Sequence, residues 1–236
     1  FIYSDIDLKE SGNTRNLAKR LRGRSFLVSL LTDVAAEHIL ELASLEKASL
    51  IFSGAGQFVL LLPDTEKSRE VIAQAEKELN LLFLDRLGTR LSMVLAFESC
   101  SEDLFRNYSL SLSAVSHKLE QSKYKKYFSY LGEVIYSGIE LDESIPRTSR
   151  AAEEDLFSGN KFGDDKRLGE LLPYAKYLVE VIVDPDEDFN YSNLPIRPAI
   201  NLLHPLGRYF FVAKGMDALS ELELIKDLLE GLSEID

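Results

Sequence analysis

Two short apolar runs joined by a small glycine-containing turn constrain the fold of this chain more than any other feature. The runs cover residues 50–52 and 58–62, and their strand length predicts a β-hairpin whose strands are largely buried. Apolar residues at helical spacing predict a helix on each side of this hairpin, over residues 24–43 and 66–84, with Gly23 interrupting the first pattern. Thr65 and Ser68 supply an N-cap for the second helix.

The elements that follow extend this order into a recognisable α+β unit. Residues 91–99 predict a third strand, and a helix is expected from residue 101 or 102 to about residue 121. The order helix, strand, strand, helix, strand becomes a ferredoxin-like βαββαβ unit when one strand precedes it. Because the first residue is Phe1, we expect the sequence to be a fragment whose boundary cuts into that strand.

The second half of the sequence changes in composition. Residues 138–169 are polar and charged, which predicts a linker or the remnant of an insertion. A smaller α/β region is expected over residues 170–236, with strands at residues 177–183 and 207–215 and a terminal helix at residues 220–235. The first domain then covers residues 1–137.

Charge limits the contacts that the chain can make with nucleic acid. A net charge of −12 argues against broad nonspecific binding, because phosphates are neutralised by clustered Lys and Arg. One basic stretch lies near the N-terminus, where Arg20, Arg22, Arg24 and Ser25 are candidate contacts for RNA or a partner protein. A solvated basic turn that leads into a helix explains the same residues equally well.

The cysteine and histidine content indicates the cellular setting. One cysteine and three histidines leave no internal disulfide and no tetrahedral zinc set. No apolar run approaches the ~18 to 20 residues that a membrane span requires. We expect a globular protein of the reducing cytoplasm.

Three stretches in this order resemble the large subunit of type III-A (Csm) CRISPR effector complexes. They are KRLRGRSFLVSLLTDVAA at residues 19–36, LIFSGAGQFVLLLPDT at residues 50–65 and RLGELLPYAKYLVEV at residues 167–181. The first is the most specific, since LRGRSF followed by an apolar helix is typical of the first palm domain of that family. FIYS at residues 1–4 resembles the end of the family's opening strand and turn.

The resemblance implies a polymerase- or cyclase-like palm that is degenerate. In that family two palms pair, and one carries a Gly-Gly-Asp-Asp hairpin that binds metal and ATP to make cyclic oligoadenylates. The first palm has a Ser-Gly-Gly-Gly type of hairpin, and here that place is Ser53, Gly54, Ala55 and Gly56. Catalytic palms hold divalent ions with carboxylates. Gly56 and Gln57 stand where those acids belong, so the hairpin either lines a nucleotide pocket through its backbone or is only a tight turn.

The same resemblance implies partners and a role. The partners are the second palm of the same subunit, other effector-complex subunits, guide RNA and target RNA. The family makes cyclic oligoadenylates with ATP and Mg²⁺ or Mn²⁺ and cleaves single-stranded DNA, but this chain alone is expected to be inactive, with no cofactor or metal of its own. The four-cysteine zinc ribbon of the family has no counterpart here. A palm separated from its partner is also able to pair with itself as a homodimer.

Two alternative functions, from other classes of protein, stay open. A cyclase-like enzyme that uses one palm alone predicts acids at the hairpin, which Gly56 and Gln57 do not supply. A stand-alone regulatory module would bind a nucleotide through the same degenerate hairpin, and tight ATP binding by the isolated chain would favour it.

Overall fold

The structure is a computed structural model, and its fold is α+β. It describes residues 17–87, 91–101, 106–125, 172–185, 189, 198–200 and 203–214. These residues form two compact units, one within residues 28–145 and the other made of the residues before Val28 and after Ile145. The predicted linker at residues 138–169 and the predicted helix at residues 220–235 lie outside the described residues.

Helix α1 spans Leu17–Ala43, seven residues more at its start than the sequence pattern predicts. Gly23 does not interrupt it. A glycine inside a helix costs only about 1 kcal/mol of stability relative to alanine, which the rest of a long helix outweighs. Gly23 is buried, so a larger residue at this position would have to fit among its neighbours. None of the described helices is long and apolar enough to cross a bilayer.

Helix α2 spans Glu66–Leu87, three residues beyond its predicted end. Its predicted N-cap is confirmed, because Thr65 Oγ1 accepts a hydrogen bond from the Ser68 backbone N–H at 3.2 Å. His38 Nε2 on α1 lies 2.8 Å from Glu78 Oε2 on α2. The two helices also share an apolar cluster of Ile39, Val71 and Ala75.

The predicted hairpin is confirmed, as strands β1 (Leu50–Gly54) and β2 (Gln57–Leu60). They pair antiparallel, with Ser53 opposite Phe58 and Gly54 opposite Gln57. Alternate residues of the second run, Phe58, Leu60 and Leu62, pack against the cluster that α1 and α2 share.

The prediction that both strands are largely buried is wrong. Ile51 is 44% exposed and Phe52 49% exposed. A two-stranded sheet has two faces, and in the part of the chain that the structure describes the helices cover only one of them.

The predicted third strand at residues 91–99 is also not observed. Among the described residues this segment joins no sheet, and its backbone binds side chains of α2 instead. Asn80 accepts the Met93 N–H at 2.8 Å and donates to the Met93 carbonyl at 2.8 Å, while Glu76 accepts the Leu95 N–H at 3.1 Å. We therefore call residues 91–101 the extended segment.

Helix α3 spans Tyr108–Lys123 and has no buried residue. The predicted start of this helix, at residue 101 or 102, borders residues 102–105, which lie outside the described residues, and Asn107 takes the N-cap position with a non-helical φ of −123°. Asparagine favours that position over the interior of a helix.

The other unit contains a three-stranded antiparallel sheet with β5 in the middle. Strands β3 (Ala175–Ile182) and β4 (Pro198–Ile200) flank β5 (Arg208–Lys214). The strands predicted at residues 177–183 and 207–215 are thus present. The three-residue strand β4 was not predicted, because Pro198 has no backbone N–H and proline is tolerated in a strand only at an edge or at the first residue, which is where β4 has it.

Two contacts fix the entry into β5. Gly207 has a φ of 67°, and a Cβ added there would lie 2.1 Å from the Val183 carbonyl oxygen, so only glycine fits. Arg208 is 1% exposed, and its guanidinium donates to Glu180 across the pair of strands. Val181, Tyr209 and Phe211 form the small apolar cluster of this sheet.

Replacing Asn80 by Ala should lower the free energy of unfolding by about 2 to 4 kcal/mol, because it leaves the half-buried N–H and C=O of Met93 without their partners. Urea unfolding followed by circular dichroism measures this loss. The matched control is Asn107→Ala, since the exposed Asn107 makes no capping hydrogen bond with its side chain. Equal losses for the two variants would contradict a special role for Asn80.

Candidate functional site

The hairpin turn has the geometry of a tight two-residue loop. Ala55 and Gly56 connect β1 to β2, with φ angles of 54° and 76°. Positive φ at both central positions is the mark of a type I′ turn, whose twist matches that of the strands. A Cβ on Gly56 would lie 3.2 Å from Val28 Cγ1, so this glycine serves both conformation and close packing on α1.

Ala55 carries the conformational cost of the turn. The left-handed region costs a residue with a Cβ roughly 1 to 2 kcal/mol. A Gly at this position, as in the Ser-Gly-Gly-Gly hairpin that this turn resembles, would avoid that cost. In the structure Ala55 occupies the left-handed conformation itself.

A carboxylate on α1 lies beside the hairpin. Ser53 donates its hydroxyl hydrogen bond to Asp33 Oδ1, and the Asp33 side chain is exposed. One helical turn later, Glu37 forms an ion pair with Lys47 at 2.5 Å. The carboxylate that contacts the hairpin thus comes from α1 and not from the strands.

The turn itself offers no set of ligands for a divalent ion. The sequence resemblance predicts that Gly56 and Gln57 stand where a catalytic palm carries acids, and neither residue has a carboxylate. Within the described ranges no group of three or more His, Cys, Asp or Glu side chains is placed to hold a metal. Two-metal chemistry needs anionic oxygen ligands on adjacent strands, so the residues of this hairpin do not fit a metal centre.

The basic residues predicted to contact RNA or a partner lie on α1. Arg22 and Ser25 are exposed, three residues apart, and so lie on the same side of the helix. Arg24 is only 7% exposed. The side chain of Arg20 lies outside the described residues. RNA or partner contact at these positions stays a prediction.

A groove of about 950 Å³ opens beside the hairpin, within the unit of residues 28–145. The second hairpin run and the extended segment form two of its sides, and residues of α3 such as Leu112 and Val115 line it as well. Buried residues of α1 and α2, including Ile39 and Phe83, also reach the groove.

Charged and aromatic side chains meet at one part of this groove. The Phe97 ring is 44% exposed, and the guanidinium of Arg69 and the Nζ of Lys118 lie 5.8 Å and 6.0 Å from its centroid. Arg69 is paired with Asp64, and Lys118 with Glu98 at 2.7 Å. These pairings leave the groove with little net positive charge for phosphate.

Glu76, the α2 carboxyl that accepts the Leu95 N–H, has a shifted pKa. Burial raises the pKa of its carboxyl above the usual value of 4.5, and the hydrogen bond from the Leu95 N–H offsets part of that rise. Glu76, which binds the backbone of the extended segment, therefore changes its protonation at a higher pH than an ordinary glutamate does.

Sequence patterns alone did not identify Asp33, Glu76 or Asn80. Asn80 had a usable signal, because it is the one polar residue in the apolar run from Leu79 to Leu84 on a predicted helix. A polar residue on a buried face usually has hydrogen-bond partners. Asp33 and Glu76 carry no such signal, since acids are ordinary on the exposed sides of helices.

Comparison with known proteins identifies the family. Residues 1–135 match the family model described as Csm1 subunit domain B, which is more than half of the 236 residues. The chain belongs to this family. The resemblance to the large subunit of type III-A CRISPR complexes is thereby confirmed.

Individual relatives agree with this assignment. The subtype III-A single-strand-specific deoxyribonuclease Cas10/Csm1 of Enterococcus italicus is 36% identical over 213 residues, which are 89% of this chain and 26% of that protein. Its counterpart in Mycobacterium tuberculosis is 36% identical over 172 residues, 72% of this chain and 20% of that protein. The chain spans about a quarter or less of these relatives.

One solved structure shares the fold. The apo Csm1–Csm4 cassette aligns with a TM-score of 0.50 at 17% identity, over 84% of this chain and 23% of that chain. At this identity the likeness concerns the fold only.

Replacing Ala55 by Gly should raise the free energy of unfolding by about 0.5 to 1 kcal/mol, because glycine adopts a positive φ without a Cβ clash and loses only part of that gain to chain entropy. Urea unfolding measures the difference. The control Ala73→Gly, at an exposed position inside α2, should change stability in the opposite direction by about 1 kcal/mol. A destabilising Ala55→Gly would contradict the left-handed conformation.

Replacing Glu76 by Gln should flatten the pH dependence of stability. Between pH 4.5 and the raised pKa, the folded chain holds a proton that the unfolded chain has released, so the free energy of unfolding falls as pH rises through that window. Glutamine still accepts the Leu95 N–H but does not titrate. Urea unfolding from about pH 4.5 to about pH 7 tests this against Glu70→Gln, an exposed change on the same helix. An unchanged slope for Glu76→Gln would contradict the assignment.

Proposed function

We propose that this chain is the first, non-catalytic palm portion of a large subunit in a type III CRISPR RNA-guided antiviral complex. In this proposal residues 1–137 form a ferredoxin-like palm, residues 138–169 a linker and residues 170–236 a small α/β region. The palm scaffolds the complex in the cytoplasm and lines the ATP site used for cyclic oligoadenylate synthesis. The observation that carries the proposal is a tight, acid-free hairpin turn of small residues, in the stretch that resembles the degenerate hairpin of the family's first palm.

The geometry of the turn suits contact with a nucleotide through the backbone. Ala55 and Gly56 are exposed, and small residues let a ligand approach the main chain closely. Successive backbone N–H groups in a tight turn form a concave partial positive charge that attracts anionic oxygens. Ser53, Gly54, Ala55 and Gly56 are therefore the residues proposed to line the nucleotide.

The division of labour follows from the same turn. Mg²⁺ or Mn²⁺, bound with ATP, supplies the charge neutralisation that phosphoryl transfer requires. Because Gly56 and Gln57 bring no carboxylate, the metal ligands are assigned to the second palm of the same subunit. This chain contributes shape and backbone donors, and Asp33 contributes by holding Ser53 at the end of β1.

The proposed partners follow from family membership. They are the second palm, other effector-complex subunits, guide RNA and target RNA, with Arg22 and Ser25 as the accessible residues of the basic stretch. The structural neighbour is a cassette of Csm1 with Csm4, which supports a subunit of that kind as one partner.

The test is to incubate the full chain with ATP and Mg²⁺ or Mn²⁺, alone and mixed with a fragment that carries the second palm. Cyclic oligoadenylates are measured by mass spectrometry, and product is expected only from the mixture. Product from this chain alone would overturn the non-catalytic assignment, whereas tight ATP binding without any product in the mixture would favour the regulatory module.

The hairpin is tested in the same mixture with Ala55→Phe. Ala55 is exposed, so the larger side chain blocks approach to the turn, and product should fall about tenfold or more. Ala48→Phe, at an exposed position just before β1, is the matched control. Equal product from both variants would remove the hairpin from the nucleotide site.

A further inference from the structure

The sheet of β3, β5 and β4 has two outer edges that differ in character. The β4 edge is three residues long and begins with Pro198, which has no backbone N–H. The β3 edge is eight residues long and contains no proline. Short strands and prolines keep a sheet edge from pairing with another chain. The β4 edge is therefore protected, whereas the β3 edge pairs with no further strand among the described residues.

Alternate residues of β3 direct their backbone groups to its outer edge. Val183, directly after the strand, donates its N–H to the Gly207 carbonyl at 2.9 Å, and the register with β5 is regular from residue 177 to residue 182. Successive residues of a strand turn their N–H and C=O groups to opposite sides, so the odd-numbered residues bind β5 and the even-numbered residues face outward. The outward-facing residues are Leu178, Glu180 and Ile182.

The side chains along this edge are exposed and apolar, except for one cation and one anion. Leu178 is 42% exposed and Ile182 57% exposed. Lys176 and Glu180 stand two residues to either side of Leu178, and both are exposed. Glu180 accepts a hydrogen bond from Arg208 through Oε1, and a carboxylate has a second oxygen for another donor.

A second copy of the chain fits this edge in one register. When two β3 strands pair antiparallel about a two-fold axis at Leu178, Lys176 of each copy lies opposite Glu180 of the other. Opposite charges at facing positions stabilise a sheet, and the symmetry supplies this pair twice. An axis at Tyr177 or Val179 would place both charges opposite uncharged residues, and an axis at Glu180 would place two acids opposite each other.

One irregularity lies near the start of β3. Its register with β5 shifts between Ala175 and Tyr177, which places Lys176 at a bulge. The outward-facing backbone groups of Leu178 and Glu180 lie beyond this bulge, in the regular part of the strand. Lys176 contributes its charge, which a flexible four-carbon side chain carries to the acid opposite.

We propose that two copies of this chain associate through β3 into one continuous sheet, with Leu178 at the two-fold axis and a Lys176–Glu180 pair on each side of it. The occupant of the edge is a second copy because the charge pattern of β3 is complementary to itself. A lysine on a sheet edge disfavours strands that bring no acid to it. The inference does not depend on the role of the hairpin towards nucleotides.

Sedimentation equilibrium of the full chain over a range of concentrations tests the association. Salt at about 0.15 M screens the long-range repulsion between two acidic copies, with a Debye length of about 8 Å. We expect a reversible equilibrium between monomer and dimer under these conditions. A chain that stays monomeric at the highest concentration would overturn the proposal.

A charge reversal tests the register. Lys176→Glu places two acids opposite each other on both sides of the axis and should raise the dissociation constant of the dimer about tenfold or more. Lys67→Glu, at an exposed position of α2, is the matched control because it changes the net charge by the same amount. Lys176→Arg keeps the charge and should dimerise as the original chain does. Equal weakening by both glutamate variants, or a dimer that neither variant weakens, would contradict pairing through β3.

Hydrogen exchange resolved by residue gives evidence that needs no variant. On going from dilute to concentrated chain, exchange of the Leu178 and Glu180 amides should slow about tenfold or more, because these N–H groups become bound across the two-fold axis. The amides of Val179 and Val181 bind β5 and should be protected at every concentration. Protection of Leu178 and Glu180 that does not depend on concentration would overturn the proposed pairing.

Discussion

The packing of α1 against α2 is the constraint on which the unit of residues 28–145 depends. Ile39, Val71 and Ala75 are 6% exposed or less, and Phe58 and Leu60 of the hairpin and Leu95 of the extended segment pack against that cluster. Neither the hairpin nor the extended segment would be stable alone, because a two-stranded sheet in water is marginal. The helices thus serve as the layer that holds two separate pieces of extended chain at fixed places.

This arrangement separates the roles of backbone and side chains around the hairpin. The two turn residues, Ala55 and Gly56, present mainly backbone groups, because their side chains are a methyl group and a hydrogen atom. The pairing of β1 with β2 holds Ala55 in its left-handed conformation. The polar side chains near the turn are paired with one another: Ser53 donates a hydrogen bond to Asp33, and Glu37 forms an ion pair with Lys47. Such a turn offers shape and partial charge, which are what the proposed role beside a nucleotide pocket made mainly by another domain requires.

Much of the fold was predictable because it follows local rules. Helical spacing located α1 and α2, and the capping pair of Thr65 with Ser68 placed the start of α2 at Glu66. The small turn placed the hairpin, and the resemblance through residues 19–36 and 50–65 predicted the family. Each of these signals depends on residues that are neighbours in sequence.

The remainder depended on contacts between distant residues. The run at residues 91–99 has strand composition, but pairing is decided by what lies beside it, and here that is Asn80 and Glu76. The exposure of Ile51 and Phe52 likewise depends on which face of the hairpin the helices cover. The left-handed conformation of Ala55 was not predicted, because alanine rarely adopts that conformation.

In the part of the chain that the structure describes, one edge of β2 pairs with no strand, and this edge also bears on how the chain behaves in concentrated solution. Exposed strand edges are templates for edge-to-edge association between copies, which is the route that leads to aggregates. The net charge of −12 opposes that route, since like-charged copies repel one another before their edges meet. Mutual repulsion weakens as salt screens it, with a Debye length of about 10 Å at 0.1 M. The acidity of the sequence thus acts as a colloidal safeguard for the edge of β2 that no described strand covers, and its protection is greatest at low ionic strength.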